Sequence, residues 1–154
     1  MENINKKIIA RLFKLLSIRE YSEKELRTKL RTSFPNEYEA IDEAIAEFKK
    51  LNYISDSRYA EMIFRHYVNN GYGPKKILYE ASLKGVSHEQ IESLISEYEV
   101  DWDKNAQELI HRKFKDLDFS DEKNKRKVAG FLARRGFESE TIYKMISRLS
   151  DDYM

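Results

Sequence analysis

The chain has no cysteine, and only two prolines and five glycines among its 154 residues. Lack of cysteine removes a disulfide framework, a thiolate zinc site and a cysteine nucleophile together, and it suits the reducing cytoplasm in which this chain is expected to work. Scarce glycine and proline leave little material for hairpins, and no long window alternates apolar with polar residues, so an all-α fold is expected. No apolar run approaches the length of a membrane span. The segment Met1 to Lys14 interleaves Lys6, Lys7, Arg11 and Lys14 with its apolar residues, leaving no uninterrupted stretch for export. Charge of one sign is missing too: 28 Lys and Arg against 27 Asp and Glu give a net charge of +1. Only the distribution of charge can then point to a partner.

Catalytic signatures are also absent. His66, His88 and His111 have no His partner at helical spacing and stand in no H-E-x-x-H pattern, so no metal site is expected. Neither a phosphate-cradling glycine loop nor a G-x-S-x-G elbow occurs. Glu89, Glu92, Asp101 and Asp103 read as exposed helix-end charge. A non-enzymatic chain without catalytic residues or cofactors is expected.

What the chain does have is a pattern written three times at a spacing near 51 residues. Tyr21, Leu26 and Leu30 map onto Tyr72, Ile77 and Ala81, and the last two positions map on to Val128 and Leu132. Ile8 and Leu12 map onto Tyr59 and Ile63, then onto Ile110 and Phe114. Ile91 and Ile95 map onto Ile142 and Ile146, while a shift of 50 brings in Ile41 and Ile45, which fits a loop insertion. Pairs four apart bury one stripe of an amphipathic helix. Units of about 50 residues are marginal alone, which predicts three tandem three-helix repeats, 1–54, 55–100 and 101–154, stacked into an elongated, curved array. The helices are expected over 4–18, 23–33, 37–51, 56–70, 74–84, 88–99, 103–116, 121–135 and 140–150.

Punctuation supports this reading. Ser22, Asn36, Ser87, Ser120 and Ser139 are placed to cap the helices that follow. Gly85 and Gly136, 51 residues apart, each follow a basic residue and read as left-handed helix stops. In Asn70-Gly71-Tyr72-Gly73-Pro74, Gly71 ends one helix, Gly73 takes the N-cap and Pro74 the first helical position, where its missing N–H costs nothing. Tyr59, Phe64, Tyr67, Phe114, Phe131 and Phe137 belong to the core, Trp102 wedges between the second and third copies, and Tyr79 stays outside.

Charge is sorted by helix. Lys123 to Arg135 holds six cations and no acid; Val86 to Asp103 holds six acids and no cation; Glu37 to Glu47 holds five acids and no cation. Second helices are basic in all three copies. Any one cation is explained by solvation or by the helix dipole, but recurrence in every copy predicts a basic face for an anionic or acidic partner, with salt-dependent binding.

The run Tyr53-Ile54-Ser55-Asp56-Ser57-Arg58-Tyr59-Ala60, then Gly71-Tyr72-Gly73-Pro74-Lys75-Lys76-Ile77, then Lys84-Gly85-Val86 resembles the signature of the RecX family: an aromatic, an aliphatic and acidic residues before Arg-Phe-Ala, later Gly-x-Gly-Pro-x-x-Ile, later Lys-Gly-Val. Ser55 stands where Asp is common and Tyr59 where Phe is common. The resemblance implies a modulator of the RecA recombinase. Such a protein binds the RecA filament on single-stranded DNA along its groove and depresses ATP hydrolysis, strand exchange and co-protease activity without catalysis of its own. The expected partner is therefore that filament, with weak non-specific DNA binding, no membrane and a monomeric chain. Lys75, Lys76 and Lys84, with Arg126, Lys127, Arg134 and Arg135, are the candidate partner-binding residues. Arg58 is expected to brace Asp56 or a neighbouring helix. The alternative is a direct DNA-binding module resembling a helix-turn-helix, weakened because the last helices of the first two copies are acidic.

Overall fold

A computed structural model describes residues 3–152, and these form nine α-helices in sequence. They are α1 (Ile4–Ile18), α2 (Glu23–Ser33), α3 (Tyr38–Lys50), α4 (Asp56–Asn69), α5 (Pro74–Leu83), α6 (His88–Glu97), α7 (Trp102–Phe114), α8 (Glu122–Arg134) and α9 (Ser139–Asp152). Among the described residues there is no strand. No helix among these residues is long and apolar enough to cross a membrane.

The buried residues fall into three clusters. Ile8, Leu12, Leu26, Leu30, Ile41 and Ile45 centre the first, Tyr59, Phe64, Ile77, Ala81 and Ile91 the second, and Leu109, Val128, Leu132, Phe137 and Met145 the third. The repeated positions of the first two helices of each unit point inward. The third helix of the last unit departs from the register: Thr141 and Met145 are its deepest residues, while Ile142 and Ile146 are half-buried. Trp102 packs against both the second and the third cluster, as the wedge reading expects. Phe114 and Phe131 are half-buried and meet edge to face at 5.2 Å; Tyr79 is exposed. With three separate cores the accessible surface reaches 9868 Å², against about 8,200 Å² for a compact monomer of this mass. The excess is that of an elongated molecule.

Helix ends follow from local chemistry. Ser22 and Ser87 form capping boxes with Glu25 and Gln90. Three expected caps are displaced by one residue. Asn36 takes a left-handed turn and Glu37 precedes α3. Ser120 is held by Asp118 through its N–H and hydroxyl, so Asp121 caps α8. Ser139 is itself the first residue of α9. Gly71, Gly85 and Gly136 all have φ between 82° and 93°. After α5 and α8 the amides of Val86 and Phe137 reach back to Ala81 and Leu132, closing Schellman motifs. Asp151, beyond the expected end of the last helix at 150, lies in α9; Tyr153 and Met154 lie outside the described residues.

Candidate interaction surface

The second helices of the three units meet end to end. At the joint between the second and third units, the Gly73 N–H donates to the Arg135 carbonyl at 2.6 Å and the Lys75 N–H to the Gly136 carbonyl at 2.9 Å. The first amides of α5, which have no partner within their own helix, thus take the last carbonyls after α8. Contact here is backbone on backbone: a Cβ at Gly73 would lie 2.4 Å from Gly136 C, and one at Gly136 would lie 2.3 Å from Lys76 N. Arg135 Nη1 donates to the Asn70 carbonyl at 2.7 Å, and the Leu109 side chain lies against Gly71.

At the other joint the start of α2 meets the end of α5. A Cβ at Gly85 would be 3.0 Å from the Lys24 Cβ and 3.6 Å from the Ser22 hydroxyl. Arg58 Nε donates to Glu20 at 2.7 Å and its Nη2 to the Asn52 carbonyl at 2.8 Å. Arg58 therefore braces the preceding unit, and not Asp56. Tyr59 is fully buried with its hydroxyl beside the Glu25 carboxylate but outside hydrogen-bond geometry. Burial, then that carboxylate, push the phenol above its usual range. Glu25 itself is raised by burial, but Arg19 and the Ser22 N–H act the other way and it ends below the usual carboxylate range.

The row therefore runs α8, α5, α2, with dipoles head to tail, and its helices add up to about 50 Å of axis at 1.5 Å per residue. Its cations differ in availability. On α2, Arg27 is engaged by Glu23 and Asp42. On α8, Lys125 pairs with Glu122, whereas Arg126, Lys127 and Arg134 are exposed and form no ion pair with described residues. Helical spacing sets Lys123, Arg126, Lys127 and Arg134 around Gly130 on the face opposite Val128 and Leu132. Sequence reasoning passed over Gly130. A Cβ there would meet only the Arg134 guanidinium, at 3.2 Å, so the fold does not require a glycine.

Of the seven candidate residues, Lys75, Lys76 and Arg135 are brought together at the joint of the second and third units. Lys75 pairs with Glu138 at 3.6 Å. Lys76 and Arg135 lie over the Tyr72 ring, at 4.6 and 5.8 Å from its centroid. Lys84 lies at the opposite end of α5, 5.3 Å from the Tyr67 ring centroid. An opening of about 720 Å³ lies between the end of α4 and α7 and mixes Lys104, His111 and Arg112 with Glu108. No group of three or more metal-ligating side chains exists among the described residues.

A row of helical units joined end to end defines an all-α repeat protein with an extended surface. Family comparison gives the particular kind. Residues 55–95 match the second three-helix domain of RecX and residues 99–146 the third. The regulatory protein RecX of Stenotrophomonas maltophilia strain R551-3 is 37% identical over 144 residues, covering 94% of this chain and 88% of its own. That of Haemophilus influenzae strain PittEE is 36% identical over 141 residues, 90% of this chain and 92% of its own. The crystal structure of RecX from Lactobacillus salivarius superposes with a TM-score of 0.75 at 27% identity, covering 97% of each chain. The chain belongs to the RecX family, whose curated members named above are regulatory proteins.

Proposed function

We propose that this chain is a non-catalytic negative modulator of RecA. It lies along the groove of the RecA filament on single-stranded DNA and inhibits ATP hydrolysis, strand exchange and co-protease activity. The observation that supports this reading best is the end-to-end row of second helices, with Lys76, Lys84, Arg126, Lys127, Arg134 and Arg135 outside the ion pairs that engage other cations. A filament groove is a repeating polyanionic and protein-lined track. A row with about 50 Å of helix axis and fixed internal joints meets such a track at several points at once, and each point adds to residence. Inhibition then follows from occupancy: a chain seated in the groove excludes the incoming duplex, and it shifts the filament towards whichever arrangement it binds more tightly.

The test is RecA ATPase on single-stranded DNA with the chain added at rising salt. Replacing Arg126, Lys127, Arg134 and Arg135 together with Ala is expected to weaken inhibition by about tenfold or more and to flatten its salt dependence, with helicity retained. Full inhibition by that variant removes α8 from the surface. Tight binding to naked DNA without any effect on RecA would favour the DNA-binding module instead.

A further inference from the structure

The two joints are related by the 51-residue repeat, and this relation exposes a site. At the first joint Arg19 lies over the Tyr21 ring, 3.7 Å from its centroid, and makes two hydrogen bonds to Glu25, at 3.4 and 3.3 Å. An internal carboxylate thus sits against the cation and the tyrosine. At the second joint Tyr21 becomes Tyr72, Glu25 becomes Lys76 and Lys84 becomes Arg135. The carboxylate's place is taken by a cation. Lys76 and Arg135, with His66, Asn70 and Tyr72, line an open pocket of about 390 Å³. Neither Lys76 nor Arg135 forms an ion pair with a described residue; Glu138 is engaged by Lys75, and Glu80, one turn beyond Lys76, makes no ion pair with it. The Tyr72 ring is already engaged, stacked on Tyr67 at 5.0 Å and with Lys76 and Arg135 at 4.6 and 5.8 Å from its centroid, so the pocket offers charge more than a ring for stacking. Asn70 Nδ2 donates to His66 Nδ1 at 3.3 Å, which leaves Nε2 as that ring's N–H donor.

We propose that this pocket binds one phosphodiester group of a nucleic-acid strand, the external counterpart of the carboxylate that the first joint supplies from within. An Arg guanidinium, a Lys ammonium and an imidazole N–H set around one opening suit the several acceptor oxygens of a phosphate better than the two of a carboxylate. Arg134, exposed and next in the chain to Arg135, suits a neighbouring phosphate of the same strand. Because the pocket is built from α4, α5 and α8, occupancy fastens the second unit to the third. The inference goes beyond the modulator reading and needs no RecA.

The experiment uses the full chain, fluorescent oligothymidylate, and poly-L-glutamate as the protein-like polyanion. Lys76→Glu puts a carboxylate at the position equivalent to Glu25, with Asn70 where the first joint has Arg19, and since the Lys76 side chain forms no ion pair with a described residue, helicity and melting temperature are expected to hold. Affinity for oligothymidylate is expected to fall about tenfold and the log–log salt slope by about 0.7, the value of one single-strand phosphate contact. Lys76→Gln should give a smaller loss in the same direction, and Lys75→Gln, which removes a cation already paired with Glu138, almost none. Unchanged oligothymidylate binding by Lys76→Glu overturns the site. An equal loss for Lys75→Gln overturns it in favour of diffuse charge. A loss on poly-L-glutamate as large as on oligothymidylate overturns it in favour of an acidic protein surface. RecA inhibition is read separately: a variant that loses oligothymidylate but still inhibits RecA leaves the site in place and moves the modulator function elsewhere.

Discussion

The second and third units are joined by backbone, the first and second by side chains. At the one joint Gly73 and Gly136 bring two helix ends within hydrogen-bond reach, so carbonyls that end α8 satisfy amides that begin α5. At the other, Ser22 stands at the position equivalent to Gly73, and its hydroxyl serves its own helix through the capping box with Glu25. A side chain there keeps the helix ends apart, and the gap is bridged by Arg58 and Glu20 at the positions equivalent to Leu109 and Gly71. Three replacements at equivalent positions, Gly73 for Ser22, Gly71 for Glu20 and Leu109 for Arg58, thus separate a backbone contact from a screened, salt-sensitive one.

The largest effect is expected where the backbone contact is destroyed. Gly136→Ala forces a side chain onto a residue with φ of 90° and onto Lys76 N at 2.3 Å, and is expected to cost at least about 3 kcal/mol. Gly73→Val acts through the same contact from the other side. Gly85→Ala meets a similar φ of 93° but only the Lys24 side chain at 3.0 Å, and is expected to cost about 1–2 kcal/mol. Thermal melts followed by circular dichroism decide the matter. Equal losses for Gly136→Ala and Gly85→Ala would erase the distinction between the joints.

Acid should separate the units next. Glu23 and Glu25 both lie in the first unit. Burial raises each, but Lys49 and Arg27 in the one case and Arg19 in the other bring both below the usual carboxylate range. A carboxyl lowered by folding stabilises above its unfolded value, and that contribution disappears as pH falls through the folded value. With two such carboxylates against the single exposed Asp118 of the third unit, lowered by its bonds to Ser120, the first unit is therefore expected to loosen below about pH 4, ahead of the other two. Amide spectra recorded from pH 6 down to pH 3 would show it, and simultaneous loss of all three units would contradict it. A smaller effect comes from Arg58→Ala, expected to cost under about 1 kcal/mol because the pair is exposed. Its consequence is instead that the first joint loses its sensitivity to salt, read as proteolysis near residues 52–55 that no longer depends on ionic strength.

Much of this was legible in the sequence because helix periodicity and left-handed glycines are local. Ile8, Leu26, Ile77 and Leu132 declared their faces by spacing, and Gly85 and Gly136 declared their turns by following basic helix ends. The displaced caps show where local reading stops: Ser120 and Asp121 are equally good N-caps, and the choice falls to Asp121 only because Asp118 claims the serine. The joints were not legible. Nothing in the separate segments states that the amide of Gly73 meets the carbonyl of Arg135, although one clue was present: Gly85 and Gly136 recur at the repeat spacing, whereas Gly73 faces Ser22 in the first copy. Of the candidate surface, the basic helices were read from composition, while the division between paired Lys75 and unpaired Lys76 depends on which acid the fold brings near.

The smallest change sharpens the comparison from inside the first joint. Tyr59 is fully buried and its hydroxyl has no hydrogen-bond partner, while the equivalent residue in the third unit is Ile110, which carries no polar atom. The first joint therefore holds an orphaned polar group that the second does not. Tyr59→Phe removes the hydroxyl, keeps the ring in the second core and leaves Glu25 with its bonds to Arg19 and Ser22. A gain of about 0.5–1 kcal/mol is expected, since an unsatisfied buried hydroxyl costs more than its loss. The gain should appear in the melt of the first and second units and leave amide exchange in the third unchanged. A loss of similar size would mean that the hydroxyl supports Glu25 across the joint, and that the first joint is better satisfied than its geometry indicates.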